Sequence, residues 1–187
     1  MPQTVKVEII RPGPEHLDGA IRCLRTYNLR PLGESDVLDP DYETTDILHV
    51  RNRINPVRFD RRCFAALRDG EVAGFCSWAW YDEPSREAKT QLFVVHPDHR
   101  SLGIGRMLQK RRMDDMREAG ARCVHTFSDE PGAIRWYQEK FGYRLLEHVP
   151  VRHAVHRFIA GDREALVIHR AFRESESLAH LLLEWEP

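Results

Sequence analysis

Two glycines set one residue apart, Gly103 and Gly105, follow an apolar run, Leu92 to Val95, and open a helical stretch. Arg100, Ser101, Leu102, Ile104 and Arg106 complete the turn. A helix start carries unpaired backbone N–H groups and the positive end of the helix dipole, so such a turn suits an anion. Alternate glycines also remove the Cβ atoms that would hold a ligand away from the backbone. A pyrophosphate matches this chemistry. Two other phosphate loops are excluded: no Gly-Lys-Ser or Gly-Lys-Thr follows, and Leu108 stands where a dinucleotide fingerprint has its third glycine. The competing account of the same glycines is a tight strand-to-helix turn with no ligand.

The remaining reactive side chains are less organised. His148, His153 and His156 have no carboxylate or cysteine at a spacing that specifies a metal, so no metal site is expected. Cys23, Cys63, Cys76 and Cys123 form no C-x-x-C pair and read as reduced, mostly buried thiols. Lys110, Arg111 and Arg112 are balanced by Asp114, Asp115 and Glu118, the pattern of a solvated helix face. Asp36, Asp39, Asp41, Glu43 and Asp46 gather in a segment that reads either as a solvated loop or as a place that could attract a cationic amine. Trp78, Trp80 and Tyr81 could line a cleft, although strand alternation sends at least one of them to the core.

The elements that must position these groups follow from periodicity. Val5 to Ile10 alternates as a strand and leads through Gly13-Pro14 into an amphipathic helix from Leu17 to Tyr27. A short helix is expected over Asp46 to Arg53. Cys63 to Leu67 and Val72 to Tyr81 form a hairpin around Asp69-Gly70, a dipeptide that adopts the positive φ angles of a tight turn. Gln91 to Val95 reads as a strand buried on both faces, hence mid-sheet, and ends at Pro97. A long helix runs from Ile104 to Ala119 and stops at Gly120. A strand at Ala121 to Phe127, a helix at Pro131 to Lys140 and a strand at Tyr143 to Glu147 come next. Arg152 to Ile159 and Glu164 to His169 are further strand candidates, and a tail from Arg173 carries an apolar patch, Leu178 to Trp185, with no evident docking place. Strands that first pair as a hairpin and then alternate with helices describe a mixed α/β sheet around one strand–loop–helix unit.

With 187 residues the chain is sized for a single domain, read as 1–187 with its core over 5–170 and a tail over 171–187. Lys plus Arg number 28 against 29 Asp plus Glu, so no net basic field exists to hold nucleic acid or an anionic membrane. No apolar run approaches the ~20 residues needed to span a bilayer, and the N-terminus lacks the apolar segment of a signal peptide, so a cytoplasmic location is expected.

The stretch Phe93-Val94-Val95-His96-Pro97-Asp98-His99-Arg100-Ser101-Leu102-Gly103-Ile104-Gly105-Arg106 resembles the coenzyme A-binding motif of the GCN5-related N-acetyltransferases. That motif asks for Arg or Gln, two residues, Gly, one residue, then Gly or Ala; Arg100, Gly103 and Gly105 satisfy it. Ala133-Ile134-Arg135-Trp136-Tyr137 with Phe141-Gly142-Tyr143 resembles the second motif of the same family. The resemblance implies a mixed, mostly antiparallel central sheet with flanking helices, acetyl-CoA as cosubstrate, an amine as acceptor, and direct attack of that amine; it allows a homodimer.

By the same resemblance, the backbone of Phe93, Val94 and Val95 would hold the pantetheine, and Ser101, Leu102, Gly103, Ile104, Gly105 and Arg106 would wrap the pyrophosphate. Tyr137 matches a tyrosine placed beside the sulfur, where it protonates the leaving thiolate, although it stands one residue farther from Gly142 than in many relatives. An asparagine frequent in the family aligns with Glu130, a coenzyme contact or else a cap for the following helix. Gln91 stands where some members carry a basic glutamate and cannot take that role. His125 matches a glutamate of other members, and an imidazole suits general-base work near neutral pH. Two alternatives remain open at this level: a noncatalytic acyl-CoA-binding regulator, and a transferase that prefers a longer acyl group.

Overall fold

The computed structural model describes residues 6–27, 62–150 and 177–185. Their strands form one sheet in the order β1-β2-β3-β4-β5-β7-β6. In chain order these are β1 (Val7–Ile10), β2 (Cys63–Arg68), β3 (Glu71–Asp82), β4 (Glu87–Val95), β5 (Cys123–Ser128), β6 (Arg144–Pro150) and β7 (Ser177–Glu184). The helices are α1 (Leu17–Tyr27), α2 (Ile104–Glu118) and α3 (Pro131–Phe141). Pairing is antiparallel for β1/β2, β2/β3, β5/β7 and β6/β7, and parallel for β4/β5. This is the expected mixed, mostly antiparallel sheet with flanking helices. No helix among the described residues is long and apolar enough to cross a membrane. The expected helix at Asp46 to Arg53, the acidic segment from Asp36 to Asp46 and the strands at Arg152 to Ile159 and Glu164 to His169 lie outside the described residues.

The chain divides into two compact units, crossing between them at Trp78/Ala79, Thr90/Gln91 and Glu118/Ala119. In the first, β1, β2, the first part of β3 and the last part of β4 carry α1 and α2. The Asp69-Gly70 turn takes φ of 52° and 86°, the tight-hairpin geometry expected of that dipeptide. β4 packs apolar side chains on two clusters, as its continuous run implies. Leu92 and Val94 join Ala20, Ile21 and Cys23 of α1, whereas Phe93 and Val95 join Ile104 and Leu108 of α2. Gly74 of β3 permits the close approach to β4: a Cβ there would lie 2.9 Å from the Val94 carbonyl oxygen and 3.0 Å from Leu108 Cδ1. Gly74→Ala should therefore cost about 1–3 kcal/mol of stability, seen as a lower melting temperature. A native melting curve for this variant would mean that the backbone contact yields without strain.

One expectation for α2 is overturned. Arg112 and Asp115 are not on a solvated face; both are buried, Arg112 completely. Helical spacing places Leu108, Arg112 and Asp115 on one side, facing the sheet. The Arg112 guanidinium donates to Gln109 Oε1 (3.0 Å from Nε) and to the Ser77 carbonyl (3.1 Å), and lies 5.0 Å from the centre of the Phe93 ring. Asp115 accepts from Trp78 Nε1 at 2.8 Å and pairs with Arg11. Buried charges persist only when hydrogen-bonded in this way. The network fastens α2, and with it the glycine turn at its start, to β3. Lys110 and Asp114 do face solvent, paired at 2.6 Å.

The second unit contains Ala79–Thr90, β5, α3, β6 and β7. Here the apolar patch of the tail, whose docking place the sequence does not reveal, is an interior strand. β7 lies antiparallel between β5 and β6, with Leu178, Ala179, His180, Leu181 and Leu182 all buried. The ordered sheet thus extends past residue 170, to Glu184. β4 also begins four residues earlier than the strand expected from Gln91, at Glu87.

Candidate active site

Val95 ends β4, and Pro97–His99 turn once as a 3-10 helix whose first N–H groups are partly met by His96 Nδ1. Ser101 and Gly103 then take left-handed φ values of 62° and 78°. Those two reversals turn the chain so that α2 starts at Ile104 immediately after the loop. The first helical hydrogen bond of α2 runs from Met107 N to Gly103 O. The N–H groups of Ile104, Gly105 and Arg106 therefore have no place in the helix ladder and point out of its N-terminus.

Among the described residues, nothing crowds the two glycines of this turn. A Cβ on Gly103 would meet no atom within 4 Å, and one on Gly105 would make only ordinary contacts, 3.7 Å to Phe93 Cζ and 3.8 Å to Val95 Cγ2. Gly103 is needed for its left-handed backbone, but no packing constraint requires a glycine at 105. Ile104 is the loop's anchor, buried against β2 and β3 residues, whereas Ser101, Leu102, Gly103, Arg100 and Arg106 are exposed. Arg100 Nε leans back on the Val95 carbonyl at 3.4 Å. The first turn of α2 carries no acidic residue, so its dipole is left for an external anion.

The second unit holds the other site residues. His125 is buried on β5, and both ring nitrogens have partners: Glu87 Oε2 lies 3.0 Å from Nε2, and His180 Nε2 lies 2.9 Å from Nδ1. Tyr81 lies against the imidazole, with ring centroids 4.4 Å apart, and Cys123 Sγ is 3.7 Å from Nε2. Beyond it, His180 stacks on Phe127 and brings Nδ1 to 3.6 Å from Glu147 Oε1. Burial lowers the His125 pKa below its ordinary value, partly opposed by the Glu87 carboxylate. The Cys123 thiol is pushed up to about 11, first by burial and then by Glu87 and Glu184. Cys23 and Cys76, deeper still, rise to about 11 and about 12 for the same first reason.

Tyr137 is buried on α3, edge-on to Trp136 and Tyr143 at 5.1 Å each. Glu130 is the N-cap of α3; its carboxylate accepts from the N–H groups of Gly132 and Ala133. The capping alternative therefore describes Glu130, and a carboxylate so placed fills an anion site rather than offering one. Gly142, at φ 74°, closes the same helix. His148 is exposed on β6.

The structure thus collects Glu87, Cys123, His125 and His180 in one cluster, of which the sequence motifs single out only His125. Glu87 falls in a stretch with no assigned element, and His180 in the expected tail. The alternation of Glu87-Ala88-Lys89-Thr90, with Ala88 fully buried, is the available signal for an earlier start to β4.

A family model for the GNAT acetyltransferases matches residues 28–143. No curated protein sequence matches the chain. Among solved structures, an acetyltransferase of the GNAT family from Staphylococcus aureus Mu50 superposes with a TM-score of 0.66 at 11% identity, covering 97% of this chain and 100% of that one. The ribosomal-protein-S18-alanine N-acetyltransferase of Escherichia coli gives 0.62 at 16% identity, over 96% and 94%. The PaiA N-acetyltransferase of Thermoplasma acidophilum, solved in complex with coenzyme A, gives 0.58 at 12% identity, over 96% and 99%. Identities this low establish the shared fold, and the family match over more than half of the sequence establishes membership. The chain belongs to the GNAT acetyltransferase family.

Proposed function

We propose that the protein transfers the acetyl group of acetyl-CoA to an amine. One observation carries this reading: the N-terminus of α2, with left-handed Ser101 and Gly103 and no acidic first turn, presents unladdered N–H groups at a glycine the fold does not need. In a family of acetyltransferases, a pyrophosphate is the anion such a turn would receive. The parallel register between β4 and β5 covers Glu87, Ala88 and Lys89. The backbone of Phe93, Val94 and Val95 lies past it and would bind the pantetheine arm and polarise the thioester carbonyl.

Acetyl-CoA supplies an activated acyl group; the chain's residues must orient it and move two protons. The acceptor begins as an ammonium, with a pKa near 10 for an alkyl amine, and must lose a proton before its lone pair can attack. His125 accepts that proton in our reading. With Glu87 taking Nε2–H, the basic nitrogen is Nδ1, which shares a hydrogen bond with His180, so the two imidazoles act as one acceptor. Formation of the amide C–N bond breaks the C–S bond, and Tyr137 donates a proton to the departing thiolate.

Tyr137→Phe should keep acetyl-CoA affinity and lower turnover by about tenfold, less than the ~100-fold or more usual for a general acid because a thiolate leaves readily. Calorimetry with acetyl-CoA and steady-state rates on one amine check the two halves. Unchanged turnover would assign that proton to water. A screen of amines against acetyl-CoA, read by thiol release, tests the activity itself. Saturable coenzyme binding with no turnover on any amine would favour a regulator instead.

A further inference from the structure

We infer that Glu87, Cys123 and His125 form a binding site for one thiophilic divalent cation of the zinc class. The site rests on how β4 and β5 align. Glu87 is the register partner of Cys123, and His125 is two residues on, so all three side chains leave the same face of the parallel ladder. Their donor atoms, a carboxylate oxygen, a thiol sulfur and an imidazole nitrogen, lie within 4.8 Å of one another.

Two of the three spacings are close to those of a tetrahedral ion. Zn–N and Zn–O bonds of about 2.1 Å and a Zn–S bond of about 2.3 Å put N and S about 3.6 Å apart, and N and O about 3.4 Å apart. Here His125 Nε2 lies 3.7 Å from Cys123 Sγ and 3.0 Å from Glu87 Oε2. Opening the Glu87–His125 contact by a few tenths of an ångström, and drawing Glu87 and Cys123 together from within 4.8 Å to about 3.6 Å by a turn of the Glu87 side chain, would admit the ion. The outer shell fits as well. A metal-bound imidazole normally has its other nitrogen held by a hydrogen bond, and His125 Nδ1 is held by His180 at 2.9 Å.

Donor chemistry narrows the occupant. A mixed S, N and O set favours zinc or cobalt over magnesium or calcium, which take oxygen ligands. Three protein ligands leave the fourth position to water or an exogenous group. Glu184 stands opposite Cys123 on β7, though its carboxylate is engaged by Arg144 at 2.7 Å. Cys23, Cys63 and Cys76 are buried and outside this group, so Cys123 is the thiol a metal would report.

The test is a titration of the full chain, stripped with chelator, with cobalt(II). One equivalent should bind with a thiolate-to-cobalt charge-transfer band in the near ultraviolet, and zinc should displace it. Cys123→Ser should abolish the band. Glu87→Gln and His125→Gln should each weaken binding by at least tenfold, and His180→Gln by about tenfold through loss of the outer hydrogen bond. Circular dichroism checks that each variant is folded; should Cys123→Ser fail to fold, the half-exposed Glu87→Gln decides. No charge-transfer band in the native chain, a band that survives Cys123→Ser, or native affinity in Glu87→Gln would overturn the site. None of these readouts depends on acetyl transfer.

Discussion

Gly105→Asp should bind acetyl-CoA at least about 100-fold more weakly than the native chain while melting at the same temperature or slightly higher. The expectation sets two electrostatic effects of one carboxylate against each other. Inside the protein the new charge sits in the first turn of α2, where no acidic residue now stands, and gains about 0.3–1 kcal/mol from the helix dipole. Sterically the position is open, since a Cβ there meets nothing closer than 3.7 Å. Toward a bound pyrophosphate the sign reverses: unit like charges about 5 Å apart at an effective dielectric near 20 repel by about 3 kcal/mol, which is about 100-fold in affinity. Gly105→Ala, which adds bulk without charge and which the family motif tolerates, should remain near native. Calorimetry and a melting curve on the same three samples decide the matter. If Gly105→Asp binds as the native chain does, the loop is only a strand-to-helix turn, and the coenzyme reading falls with it.

The glycine loop is legible from its own residues. Left-handed positions need glycine or a tolerant small residue, and helix starts follow periodic apolar positions, so the turn at Gly103 and the helix start at Ile104 announce themselves locally. The Asp69-Gly70 hairpin and the extent of α1 are legible for the same reason. Features that local pattern does not reveal are decided by distant parts of the chain. Arg112 carries a solvent-loving charge in a helix full of charges, and its burial depends on partners far back in the chain, among them the carbonyl of Ser77, 35 residues earlier. His180 and its strand acquire partners from β5 and β6, and no local pattern says that a late apolar run will insert between two earlier strands. The cluster around His125 is built from β4, β5, β6 and β7, so local motifs point to His125 without the neighbours that hydrogen-bond and bury it.

Those neighbours shape the second expected result. His125→Gln should lower kcat/KM for the amine by about 100-fold at pH 7, the lower range for loss of a general base, with the deficit shrinking toward pH 10. Desolvation holds the imidazole pKa below 6.5, against a smaller upward pull from Glu87, so His125 is neutral and able to accept a proton at pH 7. It protonates only on acidification, and the native enzyme should show an acid limb below pH 6.5. The variant should lose that limb and instead gain rate roughly in proportion to pH, because it must wait for amine that is already free, and free amine becomes abundant near pH 10. Glutamine retains a donor and an acceptor for Glu87 and His180, so the change tests basicity more than packing. Because the limb belongs to hydrogen-bonded groups, His180→Gln should shift it without erasing it, whereas a change at exposed His148 should leave it in place. Chelator is kept in every assay, since a cation on Nε2 would imitate the loss of the base. A variant profile parallel to the native one at every pH would remove His125 from proton transfer and leave the Glu87–Cys123–His125 cluster to its metal-binding role alone.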